Sequence, residues 1–230
     1  MANILNIETS TEVCSVALTS DGMVLEHRED YEGRNHALLL SGFIEEMMQY
    51  ATPRGVKIDA VAVSIGPGSY TGLRIGLSEA KGLCFGLDVP LIGIDTLKIL
   101  VVATMFGNYI DENSYYVPMI DARRMEVFAG VYDSALQEVM PARPVILTPD
   151  SFSEYLGQGR KLVFVGNGAE KAANLIKHPD VVYIPGVKPA AVDMLALSEM
   201  AFRKGDFIDI AYSTPNYLKE FQATTPKKKI

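Results

Sequence analysis

Two groups of residues in this sequence could do chemistry. The first is Gly66-Pro67-Gly68-Ser69-Tyr70-Thr71-Gly72-Leu73-Arg74-Ile75-Gly76, a glycine loop between the apolar run at 60–65 (AVAVSI) and a helix-length segment. Glycine reaches backbone angles that other residues resist, and Ser69 or Thr71 can cap the free N–H groups of a first helical turn. Such a loop can cradle an anion at a helix N-terminus. Its spacing is neither G-x-G-x-x-G nor G-x-x-x-x-G-K-[ST], so a structural strand-to-helix turn is the competing reading. The second group is Glu8, with Thr9, Ser10 and Thr11 after it, and Asp121, which ends the matching strand of the second half. Two carboxylates facing one another from equivalent strands could hold a metal or act as acid and base, and Gly166 and Gly168 flank the same place. The run after Glu8 also makes a good polar turn ahead of Cys14.

Other catalytic patterns are missing from the sequence. The three histidines, His27, His36 and His178, include no pair at i, i+4, so no helical H-x-x-x-H metal site exists. No serine stands in a G-x-S-x-G elbow, and Gly68-Ser69-Tyr70 lacks the second glycine.

The elements that would position these residues occur twice. Strands are predicted at 3–8, 14–19 and 23–28, with Asp21-Gly22 as a hairpin turn, followed by a helix at 35–51 and a strand at 60–65. The glycine loop, a helix at 71–87, a strand at 90–94 and a helix at 96–106 complete the first half. The second half follows the same order: strands at 115–120, 125–132 and 144–147, and a helix begun by Pro149-Asp150-Ser151. Then come a strand at 161–165, the Gly166-Asn167-Gly168 turn, a helix at 169–177, a strand at 181–184 and a helix at 190–204. Repetition of a strand, glycine loop and helix at matching places predicts an α/β fold of two duplicated lobes, 1–106 and 107–230, with a ligand cleft between them. The segment 209–221 is expected to pack back over the body.

Composition sets the function class. The chain has 230 residues, 48% hydrophobic and 21% charged, with a formal net charge of −7. An acidic chain does not grip nucleic acid by itself, because neutralising phosphates needs a basic face. Cys14 and Cys84 lie in apolar contexts with no C-x-x-C spacing, as in a reducing compartment. No targeting or spanning segment is read, so the expected location is the cytoplasm, and Lys227 to Lys229 read as a solvated basic terminus.

Two helices carry more apolar surface than one sheet can cover. The helix at 71–87 has only Arg74, Glu79 and Lys81 as charges; Gly72, Gly76, Ala80 and Leu83 suit a sheet, which leaves Leu73, Leu77 and Cys84 needing a second cover. The helix at 35–51 has a sheet-facing stripe through Ala37, Leu40, Ile44, Met47, Met48 and Ala51, widened by Leu39, Phe43 and Tyr50. Leu39, Phe43, Met47, Leu73, Leu77 and Cys84 are therefore the expected face for another chain, in a homodimer or a pair with a related protein.

The whole motif set resembles one family. Ser64 to Gly76, including Gly66, Pro67, Gly68, Ser69, Thr71, Gly72 and Arg74, is similar to the signature of the TsaB family, also called YeaZ, of bacterial tRNA threonylcarbamoyladenosine biosynthesis. Ile7-Glu8-Thr9-Ser10, Asn35-His36, Asp121-Ala122-Arg123-Arg124 and Pro215-Asn216-Tyr217-Leu218 agree with it. The resemblance implies two RNase H-like lobes of the actin and sugar-kinase (ASKHA) type, each with a mixed five-stranded sheet. It implies a non-catalytic subunit that pairs with and activates the TsaD-type threonylcarbamoyl transferase through the first two helices. A TsaE-type ATPase joins such assemblies, tRNA is reached only through the complex, and without TsaD the same surface forms a homodimer. No metal and no cofactor are implied beyond a weak or vestigial nucleotide site. The family's first strand more often ends in Asp-Thr-Ser, and Glu8 departs from that. The alternative is a cleft enzyme, a nucleotide hydrolase or glycoprotease-like peptidase, built on Glu8, Ser69 and Asp121.

Overall fold

The computed structural model describes residues 2–33, 35–107 and 109–219; the basic tail at 227–229 and the end of the 209–221 segment lie outside them. The first lobe contains β1 (Asn3–Glu8), β2 (Cys14–Ser20), β3 (Met23–Asp30), α1 (His36–Ala51), β4 (Ala60–Gly66), α2 (Tyr70–Leu87), β5 (Leu91–Asp95) and α3 (Thr96–Phe106). The second contains β6 (Ser114–Asp121), β7 (Glu126–Tyr132), β8 (Glu138–Ile146), β9 (Lys161–Val165), α4 (Ala169–Leu175), β10 (Val181–Tyr183) and α5 (Leu195–Lys204). The sheets run β3-β2-β1-β4-β5 and β8-β7-β6-β9-β10. In each, the first three strands pair antiparallel and the last two add in parallel, so the RNase H-like lobe is built twice.

Local chemistry explains most boundaries. Asp21 and Gly22 both take positive φ, as a two-residue hairpin requires. The Ser69 hydroxyl accepts from Gly72 N at the start of α2, and Asp88 ends that helix in the left-handed region. Asp95 caps α3 through two backbone N–H groups. Three expectations are corrected. Strand β8 begins at Glu138, upstream of 144, and accommodates Pro141 and Pro144 because it is an edge strand. The helix expected after Pro149 is only a 3-10 turn, Ser153–Tyr155, entered through Phe152 at φ 64. The helix expected at 190–204 is split into a 3-10 turn, Ala191–Met194, and α5.

The layers are set by α3. One side, with Ile99 and Val102, packs on Ile4, Ala62 and Ile92 of the first sheet together with Met194 and Leu197. The other, with Leu97, Leu100 and Val101, packs on Tyr116, Ile120 and Val163 of the second. A helix apolar all round thus lies between two sheets. Helices α1 and α2 cover the outer face of the first sheet, and α4 that of the second.

This packing corrects the expected partner face. Met47, Leu73, Leu77 and Cys84 are 0 to 4% exposed and belong to the first lobe's own core. Met47, Leu77 and Cys84 share one cluster with Leu5, Val61, Val63 and Leu91 of the first sheet, and Leu73 packs beside Gly66, so no second protein is needed to bury them. Leu39 and Phe43 are only half-buried and remain at the edge of that surface. No described helix is long and apolar enough to cross a membrane.

Candidate functional site

The glycine loop is filled by the chain itself. Ser69 N donates to the Ser10 carbonyl at 2.6 Å, Thr9 Oγ1 donates to the Gly72 carbonyl at 2.9 Å, and Thr9 N donates to Ser64 Oγ at 3.4 Å. A Cβ at Gly68 would run into the Ser10 carbonyl, one at Gly72 into the Thr9 carbonyl, and one at Gly76 into Thr9 Oγ1. Gly66 sits at φ 107, and its peptide bond to Pro67 is cis. The glycine spacing is therefore that of a helix pressed against the Thr9-Ser10 turn, and the amide that could have met an anion meets Ser10. Arg74 points outward: its Nη1 donates to Tyr70 Oη at 2.9 Å. Thr71 is also exposed.

The two carboxylates are not brought together. Glu8 is fully buried; its Oε1 accepts from Ser10 N at 2.6 Å, while its Oε2 and the Ser10 hydroxyl have no hydrogen-bond partner. Burial pushes its pKa up to about 7 against the opposing hydrogen bond from Ser10, and the charged neighbour that adds repulsion is Asp193. Asp193, likewise raised to about 7 by burial, lies in the 3-10 turn before α5. Asp121 is exposed, with Oδ1 held by Lys171 Nζ at 2.5 Å and by Arg123 N at 2.6 Å, and its own N donating to Asn167 Oδ1. Arg123 and Arg124 form the β6–β7 hairpin tip at φ 70 and 52.

The second glycine turn mirrors the first. Gly166 sits at φ 93, a Cβ there would run into the Met119 carbonyl, and Gly168 N donates to that same carbonyl at 3.0 Å. Gly166 and Gly168 thus let β6 and β9 approach, as Gly68 admits Ser10. Between the lobes, Lys188 Nζ reaches Glu12 Oε1 at 3.2 Å. Burial raises the Glu12 pKa, but its own backbone amide, Lys188 and Asn167 together hold it below the usual carboxylate range. A hollow of about 370 Å³ beside this pair is lined by Tyr31, Gly107, Lys188 and Asp193. Among the described residues no group of three or more His, Cys, Asp or Glu is placed to hold a metal, and no histidine is hydrogen-bonded to a serine or cysteine. Buried His36 ties the start of α1 to the Val13 carbonyl at 3.1 Å. Sequence reasoning missed Glu12, Lys188 and Asp193; only the lobe arrangement gathers them.

The outer face of α1 and α2 is the other candidate. Leu38 is 82% exposed and Phe85 is 85% exposed. A groove of about 710 Å³ runs between the helices, lined by Ala37, Tyr70, Thr71, Arg74, Ile75 and Ser78 among others. Gly42 and Gly82 lie exposed in helix interiors and Gly86 in the last turn of α2, and a Cβ on any of them would meet nothing within 4 Å. The two interior glycines each cost roughly 0.5–1 kcal/mol relative to alanine, a cost that this fold gives no reason for. Leu38 and Phe85 were also missed; their positions off the apolar stripes were the available signal.

The family model described as TsaD, tRNA N6-adenosine threonylcarbamoyltransferase, matches residues 28–228. The tRNA threonylcarbamoyladenosine biosynthesis protein TsaB of Escherichia coli K12 is 32% identical over 221 residues, 94% of each chain. The Bacillus subtilis protein of the same name is 28% identical over 226 residues, covering 96% of this chain and 95% of its own. The solved structure of YeaZ from Pseudomonas aeruginosa superposes with a TM-score of 0.79 at 28% identity, covering 95% of this chain and all of that one. A second Pseudomonas aeruginosa structure, described as similar to peptidase YEAZ, superposes at 0.77. With a twice-built lobe, a glycine signature explained by packing and identity along nearly its whole length, the chain belongs to the TsaB family, also called YeaZ.

Proposed function

We propose that this chain is the non-catalytic partner subunit in tRNA N6-threonylcarbamoyladenosine synthesis, docking through the outer face of α1 and α2 on a TsaD-type catalytic subunit and holding it active. The observation that carries the reading is the set of exposed glycines, Gly42, Gly82 and Gly86, between exposed Leu38 and Phe85. Helix-interior glycines with open space around them weaken the free chain, whereas they let a second helix backbone come close in a complex. The relatives named TsaB supply the pathway. A TsaE-type ATPase then joins the pair in the cytoplasm, tRNA is met through the assembly, and the same face makes a homodimer in the absence of the partner. A weak nucleotide site would have to use the hollow beside Lys188, since the glycine loop is occupied by Ser10.

The test is pairing and activity with the TsaD-type subunit of the same organism, in a tRNA modification assay containing the ATPase and the enzyme that makes the adenylate. Leu38→Asp and Phe85→Asp should abolish pairing and modification with an unchanged melting curve, while Asp121→Asn retains both. The reading fails if both aspartate variants pair at the wild-type affinity, or if Asp121→Asn assembles normally yet stops modification.

A further inference from the structure

The chain after α5 crosses back over the first lobe as a strap. Ile208 N donates to the Leu91 carbonyl at the edge of β5, at 2.8 Å. Lys81 Nζ on α2 holds the carbonyls of Ala211 and Ser213 at 3.2 and 2.7 Å. Asn216 N donates to the Ile65 carbonyl at 2.7 Å, directly before the glycine loop. The next residue, Tyr217, stacks on Tyr70 with ring centroids 4.8 Å apart and planes 26° apart. Tyr70 Oη in turn accepts from Arg74 Nη1, and the Arg74 guanidinium lies 5.4 Å from the Tyr70 ring centroid. Two residues on, Lys219 Nζ reaches Glu126 Oε2 in the second lobe at 2.7 Å.

Tyr70 and Arg74 line one end of the groove between α1 and α2. From these contacts we infer that Tyr217 is a positioning residue of the docking surface: its ring sets Tyr70, and through it Arg74, so that the groove is preformed before a partner arrives. The inference rests on the reading of α1 and α2 as the docking face. A surface whose side chains are already placed loses less conformational freedom on binding, which raises affinity without any new contact. Tyr217 therefore acts through Tyr70, from a segment that belongs to neither helix.

The experiment measures the dissociation constant of the full chain with its own TsaD-type subunit, beside a thermal melt of each variant. Tyr217→Ala and Tyr217→Leu, which both lose the stacked ring, should weaken pairing roughly tenfold, while Tyr217→Phe stays within about twofold of wild type. Arg74→Ala should weaken pairing as well, and the double variant Tyr217→Ala/Arg74→Ala should be no weaker than the worse single one, since both act through one arrangement. A merely structural role for Tyr217 would lower the melt and give additive losses, which overturns the inference. It is equally overturned, with the docking reading intact, if Tyr217→Ala and Tyr217→Leu pair normally while Leu38→Asp does not. If Leu38→Asp also pairs normally, the docking reading itself falls and takes this inference with it.

Discussion

Gly76 has no room for a methyl group: a Cβ there would run into Thr9 Oγ1, whose hydroxyl is engaged with the Gly72 carbonyl. Gly76→Ala is therefore expected to lower stability by about 1–3 kcal/mol despite alanine's better helix propensity, measured as a lower urea midpoint. Glu8 gives a pH-dependent counterpart. In the unfolded chain a glutamate releases its proton near its ordinary value of 4.5, whereas buried Glu8 keeps it to about 7. Between those values the folded chain binds more protons, so its stability falls as pH rises from about 4.5 and levels off above about 7. Asp193 acts in the same direction from its ordinary 3.8. Glu8→Gln keeps an acceptor for Ser10 N and removes the ionisation, so it should exceed wild type at pH 8 by on the order of 1–3 kcal/mol and match it near pH 4.5. Urea midpoints at the two pH values check this; equal wild-type and variant midpoints at pH 8 would refute it.

Helix α2 has two kinds of glycine. Gly72 and Gly76 face the Thr9-Ser10 turn, whereas Gly82 and Gly86 face open space. Gly82→Ala should stabilise the isolated chain by about 0.5–1 kcal/mol, visible as a higher melting temperature, because a helix interior favours alanine. If a partner helix approaches there, the same substitution weakens pairing, and a gain in stability with unchanged pairing would move the interface elsewhere. Leu77, by contrast, is 4% exposed among Val61, Ala80 and Cys84. Leu77→Glu would bury an unpaired charge and unfold the lobe, so it tests the fold, whereas Leu38 and Phe85 test the docking.

At the scale of the molecule, α3 makes the lobes depend on one another. Leu100 is fully buried against the second sheet, while Ile99 on the same helix packs on the first. Leu100→Ala should cost about 2–5 kcal/mol and leave a single unfolding transition, with far-ultraviolet dichroism and tyrosine fluorescence coincident. Two separated transitions would mean that the lobes unfold independently. The strap adds a second tie, from β5 and α2 to Glu126.

The duplicated order of elements, the sheet stripe of α1 through Leu40, Ile44 and Met47, and the hairpin at Asp21-Gly22 were all legible in the sequence, because period and turn chemistry are local properties. The glycine signature was legible as a pattern but not in its cause. The residue that fills it, Ser10, is 58 positions from Gly68, and only the parallel pairing of β1 with β4 brings the two together. Which faces of α2 stay open could not be read from the helix either. An apolar circumference says that cover is needed, and folding decides whether a sheet, a neighbouring helix or the chain's own strap provides it. Glu8 and Asp121 sit at equivalent strand ends in the sequence, yet one is buried and turned onto the Ser10 amide and the other paired with Lys171 at the surface. Burial and pairing belong to residues far apart in the chain, and it was the tertiary structure that determined them.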